Sequence, residues 1–298
     1  MNYWAVLATT VGIWVLLALS LNIITGEAGQ PNIGHAAFFG IGAYTSAVLN
    51  TRYGVDFWPA LIIAVLVGAL VGALLGLISM RLRNDFLAIT TIGLNFVTVA
   101  VFQTVPYFGG AMGIGGIRPP RIGGFTFGPL ELALLSWVAV LLVVLLNYHL
   151  QRAWFGYALR AIRDDEAAAA AMGIDVRRYK VLAFVIGTGI AGLAGSIYAH
   201  FMTFISASDF GFNISVTILA MVVLGGRGSI PGVLLGGIVL GMAPEVFRFI
   251  SDYRLLVFGA ILVLVMRFFP SGLLGQGSRL REWLVGVFRR EGAGVHVR

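Results

Sequence analysis

Long apolar runs separated by short polar or glycine-rich breaks set the pattern of the chain. The run at 3–24 carries no charge and has about the ~20 residues a membrane-spanning helix needs. It lacks the basic start of a cleavable signal and predicts a first membrane helix. Runs at 57–80, 86–105, 130–150 and 181–204 predict further spans. Two shorter runs, 212–224 and 233–246, meet at Gly225, Gly226, Gly228, Pro231 and Gly232. Each falls below the ~20 residues of a full crossing, a pattern that predicts half-helices or a helical hairpin. A last span at 255–269 closes at Pro270, and the tail beyond is basic and amphipathic, suited to a membrane surface.

Three stretches break the pattern. Between Gly26 and Leu49 the apolar residues are interrupted by Gly26, Gly29, Pro31, Gly34, Gly40 and Gly42, and Glu27, Gln30, Asn32 and His35 lie among them. Irregular backbone at membrane depth survives only where protein or a water-filled cavity satisfies it, so a broken or re-entrant helix beside a pathway is expected. Residues 106–129 are too rich in Gly and Pro for a helix. The stretch 151–180 gathers ten of the chain's 33 charged residues, 20 basic and 13 acidic. It belongs in water. Its segment 157–172 is rich in Ala, Leu, Arg and Glu and stops at Gly173, which predicts one short helix outside the membrane.

Composition agrees with the pattern. At 59% hydrophobic, 11% charged and a mean hydropathy of +0.93, the chain reads as an all-α polytopic membrane protein. About 8–10 membrane helices or half-helices and a short extramembrane helix are expected. A net charge of +7, almost all Arg, falls mostly in 81–85, 151–180 and the tail. The positive-inside rule therefore puts these on the cytoplasmic side and the loops at 106–129, 205–211 and 248–254 outside. The amino terminus is then external if 26–49 crosses fully and internal if it is re-entrant. No nucleic-acid role is needed to explain the basic balance.

Candidate chemistry is sparse. There is no Cys, and His35, His149, His200 and His296 are dispersed, so no metal site and no catalytic residue is predicted. No GxxxxGK[ST] string occurs, and a standard P-loop ATPase is excluded. No acidic residue stands clearly at the centre of a span, which argues against proton coupling. Asn22, Gln30, Asn32, His35, Tyr44 and Asn95 are candidates for a translocation pathway, although Asn95 serves equally well, and His35 better, as a hydrogen-bonded link between helices. Gly68, Gly72 and Gly76 repeat every four residues and predict close helix packing, as do Gly192 and Gly195 within the small-residue ridges of 187–196. Asp164, Asp165 and Glu166 beside Arg160 and Arg163 read as salt pairing on an exposed helix.

The string LRAIRDDEAAAAAMGIDVRRYKVLAFVIGTGIAGLAGSIYAHF resembles the cytoplasmic coupling loop and following helix of LivM-type permeases, membrane subunits of branched-chain amino acid ABC importers. LNIITGEAGQPNIGHAAFFGIGAYTSAVL, RLRNDFLAITTIGL, VVLGGRGSIPGVLLGG and FFPSGLLG carry the resemblance in the family's order. It implies a permease domain over 1–275 with its coupling loop at 151–180, and a cytoplasmic tail at 276–298. The chain would bind no cofactor, while two ABC ATPase subunits use ATP and Mg. A homologous LivH-type permease and a periplasmic amino-acid-binding protein would complete the assembly in a bacterial inner membrane.

The resemblance also assigns coupling to Arg160, Arg163, Glu166, Ala167, Ala168 and Gly173. Arg160 and Arg163 would pair with acidic partner residues and the small alanines would permit close docking. One departure appears. The family's EAA motif reaches its glycine after three residues, whereas four follow Ala168 before Gly173, which shifts weight from Glu166 to the alanine face and Gly173. Urea, short amides or other amino acids are alternative substrates, and a stand-alone secondary transporter is a more distant one.

Overall fold

The computed structural model describes residues 3–79 and 84–246, together with Gly259, Arg267, Gly272 and Leu274. The expected last span at 255–269 and the tail at 276–298 lie outside the described residues, as do Arg81 and Arg83 of the basic hinge and the loop at 248–254.

The first apolar run forms α1 (Tyr3–Leu21), which continues without a break as a π-helical turn over Asn22–Glu27. Residues 28–35 are non-helical, and α2 (Ala36–Tyr53) follows, ended by Gly54 in the left-handed conformation that glycine adopts at least cost. Next come α3 (Phe57–Ser79) and α4 (Asn84–Thr104). The loop after α4 holds two single 3-10 turns and the two-residue strands β1 (Ile114–Gly115), β2 (Arg121–Ile122) and β3 (Phe125–Thr126). Then α5 (Pro129–Arg152) leads to α6 (Trp154–Asp164) and α7 (Glu166–Ala171). The long α8 (Val176–Met202) is followed by β4 (Phe204–Ile205), α9 (Phe212–Gly225) and α10 (Ile230–Val246).

Among the described residues, six helices are long and apolar enough to cross a membrane. The protein is all-α and multi-pass, with its few strands confined to loops.

Two findings alter the picture drawn from the sequence. The single helix expected at 157–172 is two. Asp165 leaves the helical region (φ −158°, ψ 110°) and its Oδ1 accepts from the amides of Ala167 and Ala168, at 2.8 and 3.0 Å. An N-cap of this kind starts a new helix, and helix propensity averaged over the window hid it. The acidic cluster is also not a set of salt pairs with the arginines. Arg163 Nε stands 3.5 Å from Asp164, but Asp165 is the cap and Glu166 pairs with Lys180.

The two ends of the bundle are distinct. Antiparallel pairing of β1 with β4 brings the loops before α5 and after α8 together. Arg118 N donates to Asn50 Oδ1 at the end of α2, so that helix ends there too. Trp137 of α5 donates to Ala8 O, which puts the amino-terminal half of α1 towards the same end. At the other end lie the π-helical turn, the α5–α6 junction and the tip of the α9–α10 hairpin. Thus 26–49 leaves the charged end and crosses to the loop end, and α1 begins near the loop end.

Helices α1 and α8 are central, whereas α3, α4 and α5 turn Leu66, Leu70, Ile89, Phe96, Leu134 and Leu141 outward. Apolar outer faces suit lipid. Where α3 meets α8, a Cβ at Gly68 would come within 2.8 Å of Thr188 O, and one at Gly76 within 3.1 Å of Val181 Cα. Gly72 faces the Thr188 side chain, Gly192 packs on the Ala64 carbonyl and Gly195 on the backbone of Phe39 and Ala43. Five glycines thus let α2 and α3 approach α8 at backbone distance.

Candidate functional site at the charged end

The backbone irregularity of 22–35 requires partners, because buried amides without them cost about 1–3 kcal/mol each. They come from other helices. Ile33 N donates to Thr91 Oγ1 of α4 (3.1 Å) and Ala36 N to Ser215 Oγ of α9 (2.9 Å). Gly34 N donates to Asn32 Oδ1, which fixes Asn32 Nδ2 as the group facing His35 Nδ1 at 3.1 Å. His35 Nδ1 therefore accepts, and Nε2 donates to Ser20 Oγ of α1 at 2.7 Å, while Ser20 Oγ donates onward to Leu17 O. His35 is wholly buried and both its ring nitrogens hold the segment in place.

A second knot forms where the charged stretch meets this segment. Gln151, at the end of α5, donates through Nε2 to Glu27 Oε1 and lies 3.2 Å from Gly228 O. Gly228 N donates to Asn22 Oδ1 (2.9 Å). Arg163 of α6 donates through Nη1 to Gly26 O (2.8 Å), and Arg160 donates to Gln151 O (2.9 Å) and Gly156 O (3.2 Å). One set of hydrogen bonds therefore joins α6, the end of α5, the π-helical turn and the hairpin tip. Glycine is required at its crossing points: Gly228 has φ +77°, and Gly29, at φ +66°, has the Arg163 side chain 2.6 Å from where a Cβ would stand.

The helices of the charged stretch face two ways. In α6, Ala158, Leu159 and Ile162 are buried against the bundle. In α7 only Ala169 is buried, and Ala167, Ala168 and Glu166 are exposed. Gly173 has φ +83° and nothing near a prospective Cβ, so it is needed for chain reversal and not for packing. Arg160 and Arg163, expected to meet a partner, both bond within this chain to backbone carbonyls.

The remaining pathway candidates are separate from this knot. Tyr44 stacks on Phe102 with centroids 3.8 Å apart, and its hydroxyl is buried without a partner. Asn95 Nδ2 donates to Phe210 O (3.0 Å), leaving Oδ1 unpartnered. Phe210 touches both, and Tyr44, Phe102 and Phe210 form an aromatic cluster between α2, α4 and the loop before α9. Gln30 is buried with neither amide atom paired.

Sequence reasoning passed over Gln151, Ser20 and the Ser46–His200 pair, and counted Glu27 only among the polar residues of the broken segment. Glu27 is 4% exposed, a buried carboxylate at the end of the first span. His200 Nδ1 donates to Arg118 O (2.6 Å), so its Nε2 accepts from Ser46 Oγ, linking α8, α2 and the loop end. Polar residues one turn apart at the end of an apolar run, Asn147 and Gln151, were a readable signal for the first of these. No group of three or more potential metal ligands occurs among the described residues.

The sequence family described as "Branched-chain amino acid transport system / permease component" matches residues 3–266. The chain belongs to this permease family. It is 36% identical over 293 residues to the high-affinity branched-chain amino acid transport system permease protein LivM of Escherichia coli (strain K12), covering 90% of this chain and 69% of that protein. The LivH permease protein of the same system in that organism is 28% identical over 284 residues, covering 88% of this chain and 91% of the relative. A probable LivM permease protein of Methanocaldococcus jannaschii is 26% identical, with 89% of this chain and 91% of the relative covered. No solved structure matches. The permease is thus of the LivM type, a transport subunit.

Proposed function

We propose that this permease works in an ATP-driven ABC importer that carries branched-chain amino acids across a bacterial inner membrane by alternating access. Two ABC ATPase subunits, using ATP and Mg, dock at the charged end, a LivH-type permease pairs with it, and a periplasmic binding protein delivers substrate to the loop end. The positive-inside distribution supports this orientation.

The observation that carries the proposal is the polar knot. Helix α7 offers a small, exposed alanine surface, and α6, continuous with it through the Asp165 cap, is bonded by Arg163 to the broken segment of α1. Gln151 and Gly228 extend that connection to the hairpin. A displacement of α6–α7 by a partner would pull directly on the two irregular elements of the membrane domain. Release of their side-chain partners would expose backbone groups able to solvate a zwitterion. Coupling then depends on this chain's internal bonds, with Arg160 and Arg163 as transmitters and Ala167, Ala168 and Gly173 shaping the contact.

Affinity purification from native membranes tests the assembly. Recovery of two ATPases, one homologous permease and a binding protein is expected, and the ligand of that binding protein discriminates branched-chain amino acids from urea, short amides or other amino acids. Uptake into vesicles catalysed by the purified chain alone would instead establish a secondary transporter and overturn the proposal.

A further inference from the structure

An open cavity of about 440 Å³ lies at the charged end beside the polar knot. Thr25, Gly29, Ile33, Arg163, Leu219 and Arg227 line it, drawn from the π-helical turn, the broken segment, α6, α9 and the hairpin tip. Its chemistry is mixed. Arg227 is exposed and makes no hydrogen bond or ion pair among the described residues. Arg163 uses Nη1 for Gly26 O and turns Nε towards Asp164, and neither contact uses Nη2. Thr25 lines the cavity and is 8% exposed, while its Oγ1 is covered by protein and has no hydrogen-bond partner. Ile33 and Leu219 supply the apolar part of the wall.

A built cavity with a buried unpartnered hydroxyl, two guanidinium groups and an aliphatic wall matches a small amphipathic acid. Guanidinium groups bind carboxylates through paired N–H donors. Arg160 stands in the same cluster, so Glu27 and Asp164 offset two of three arginines. One residual positive charge disfavours a multiply charged anion and suits a single carboxylate.

We propose that this cavity is an exit site on the charged side of the membrane that holds the α-carboxylate of an amino acid between Arg163 and Arg227, with the unpartnered Thr25 hydroxyl turning to it and the ligand's side chain against Ile33 and Leu219. The inference rests on the permease reading above and adds a release step to it. Arg163 then has two roles, since its Nη1 bond ties α6 to the π-helical turn while Nη2 faces the ligand. Occupancy of the site by transported amino acid holds the knot in its present arrangement and slows the next cycle.

The test uses the complete complex in proteoliposomes whose lumen faces the charged end. Vesicles contain ATP and are preloaded with leucine, leucinamide or inorganic phosphate, and initial uptake of labelled leucine supplied with the binding protein outside is measured. Leucine should slow uptake at about tenfold lower concentration than leucinamide, which lacks the carboxylate. Arg227→Gln and, separately, Thr25→Val should narrow that ratio, and Arg227→Lys should restore part of it. Equal inhibition by leucine and leucinamide, inhibition by phosphate matching that by leucine, or an unaltered ratio in Arg227→Gln would overturn the proposal. Failure of the branched-chain reading is separately visible as absence of leucine uptake into unloaded vesicles. The comparison is then made with the amino acid the complex does import and its amide.

Discussion

The α3–α8 interface and the charged-end knot join helices by opposite means. Along α3 and α8, Gly68, Gly72, Gly76 and Gly192 remove side chains so that backbone meets side chain or backbone directly. Such a contact is spread over several turns and has one fitting arrangement. At the charged end, four elements are held by individual hydrogen bonds donated by Gln151, Arg163 and the Gly228 amide, worth about 1–3 kcal/mol net each. The first arrangement resists relative movement, and the second can exchange partners at small cost. A permease needs both: a body that moves as a unit, and a joint that changes state when pushed.

The largest effect should follow from filling the rigid interface. Gly72→Leu places a side chain into Thr188, and Gly192→Leu drives one into the Ala64 carbonyl. Overpacking of this kind costs roughly 1–3 kcal/mol or more. Folded, monodisperse protein recovered in detergent should fall about tenfold, read by size-exclusion chromatography. Normal recovery with normal transport would show that the interface yields and would remove half of the contrast.

Next in size is the polar scaffold under the broken segment. Ser20→Ala leaves His35 Nε2 buried without an acceptor, and the protein should lose about 1–3 kcal/mol. A lowered thermal midpoint in detergent checks this, and an unchanged midpoint would mean that water replaces the hydroxyl. Replacing Gly173 should matter less. Its φ of +83° makes Gly173→Ala cost about 1 kcal/mol locally, with no steric clash, so assembly should survive with a modest loss of coupled uptake. A loss as large as that of Gly72→Leu would indicate that a partner packs directly on Gly173.

The same contrast explains what could be read from the sequence. Glycines four residues apart specify one helix face, so the close approach at Gly68, Gly72 and Gly76 is visible without coordinates. The hairpin is equally plain, because Gly225, Gly226, Gly228 and Pro231 interrupt two apolar runs. The knot is not. Arginines in a hydrophilic stretch read as facing water, yet Arg163 turns inward because Gly26, in a π-helical turn, offers an uncommitted carbonyl. A π-turn has no composition of its own that distinguishes it from the α-helix it continues. The Asp165 break was hidden by five consecutive alanines, although an Asp before Glu-Ala-Ala is an N-cap signal. His35 was recognised as an inter-helix link or a substrate contact, and only the fixed orientation of Asn32 shows that both its nitrogens are engaged.

The central claim is that the knot transmits motion from α6–α7 to the broken segments. Gln151→Leu tests it most directly, because the change removes the donor shared by Glu27 and Gly228 while leaving the glycine interface untouched. The measurement is the number of substrate molecules imported per ATP hydrolysed by the reconstituted complex, with assembly checked by copurification of the ATPases. The account predicts an intact complex whose ATP hydrolysis continues while the import ratio falls about tenfold. An intact complex with an unchanged ratio would contradict it.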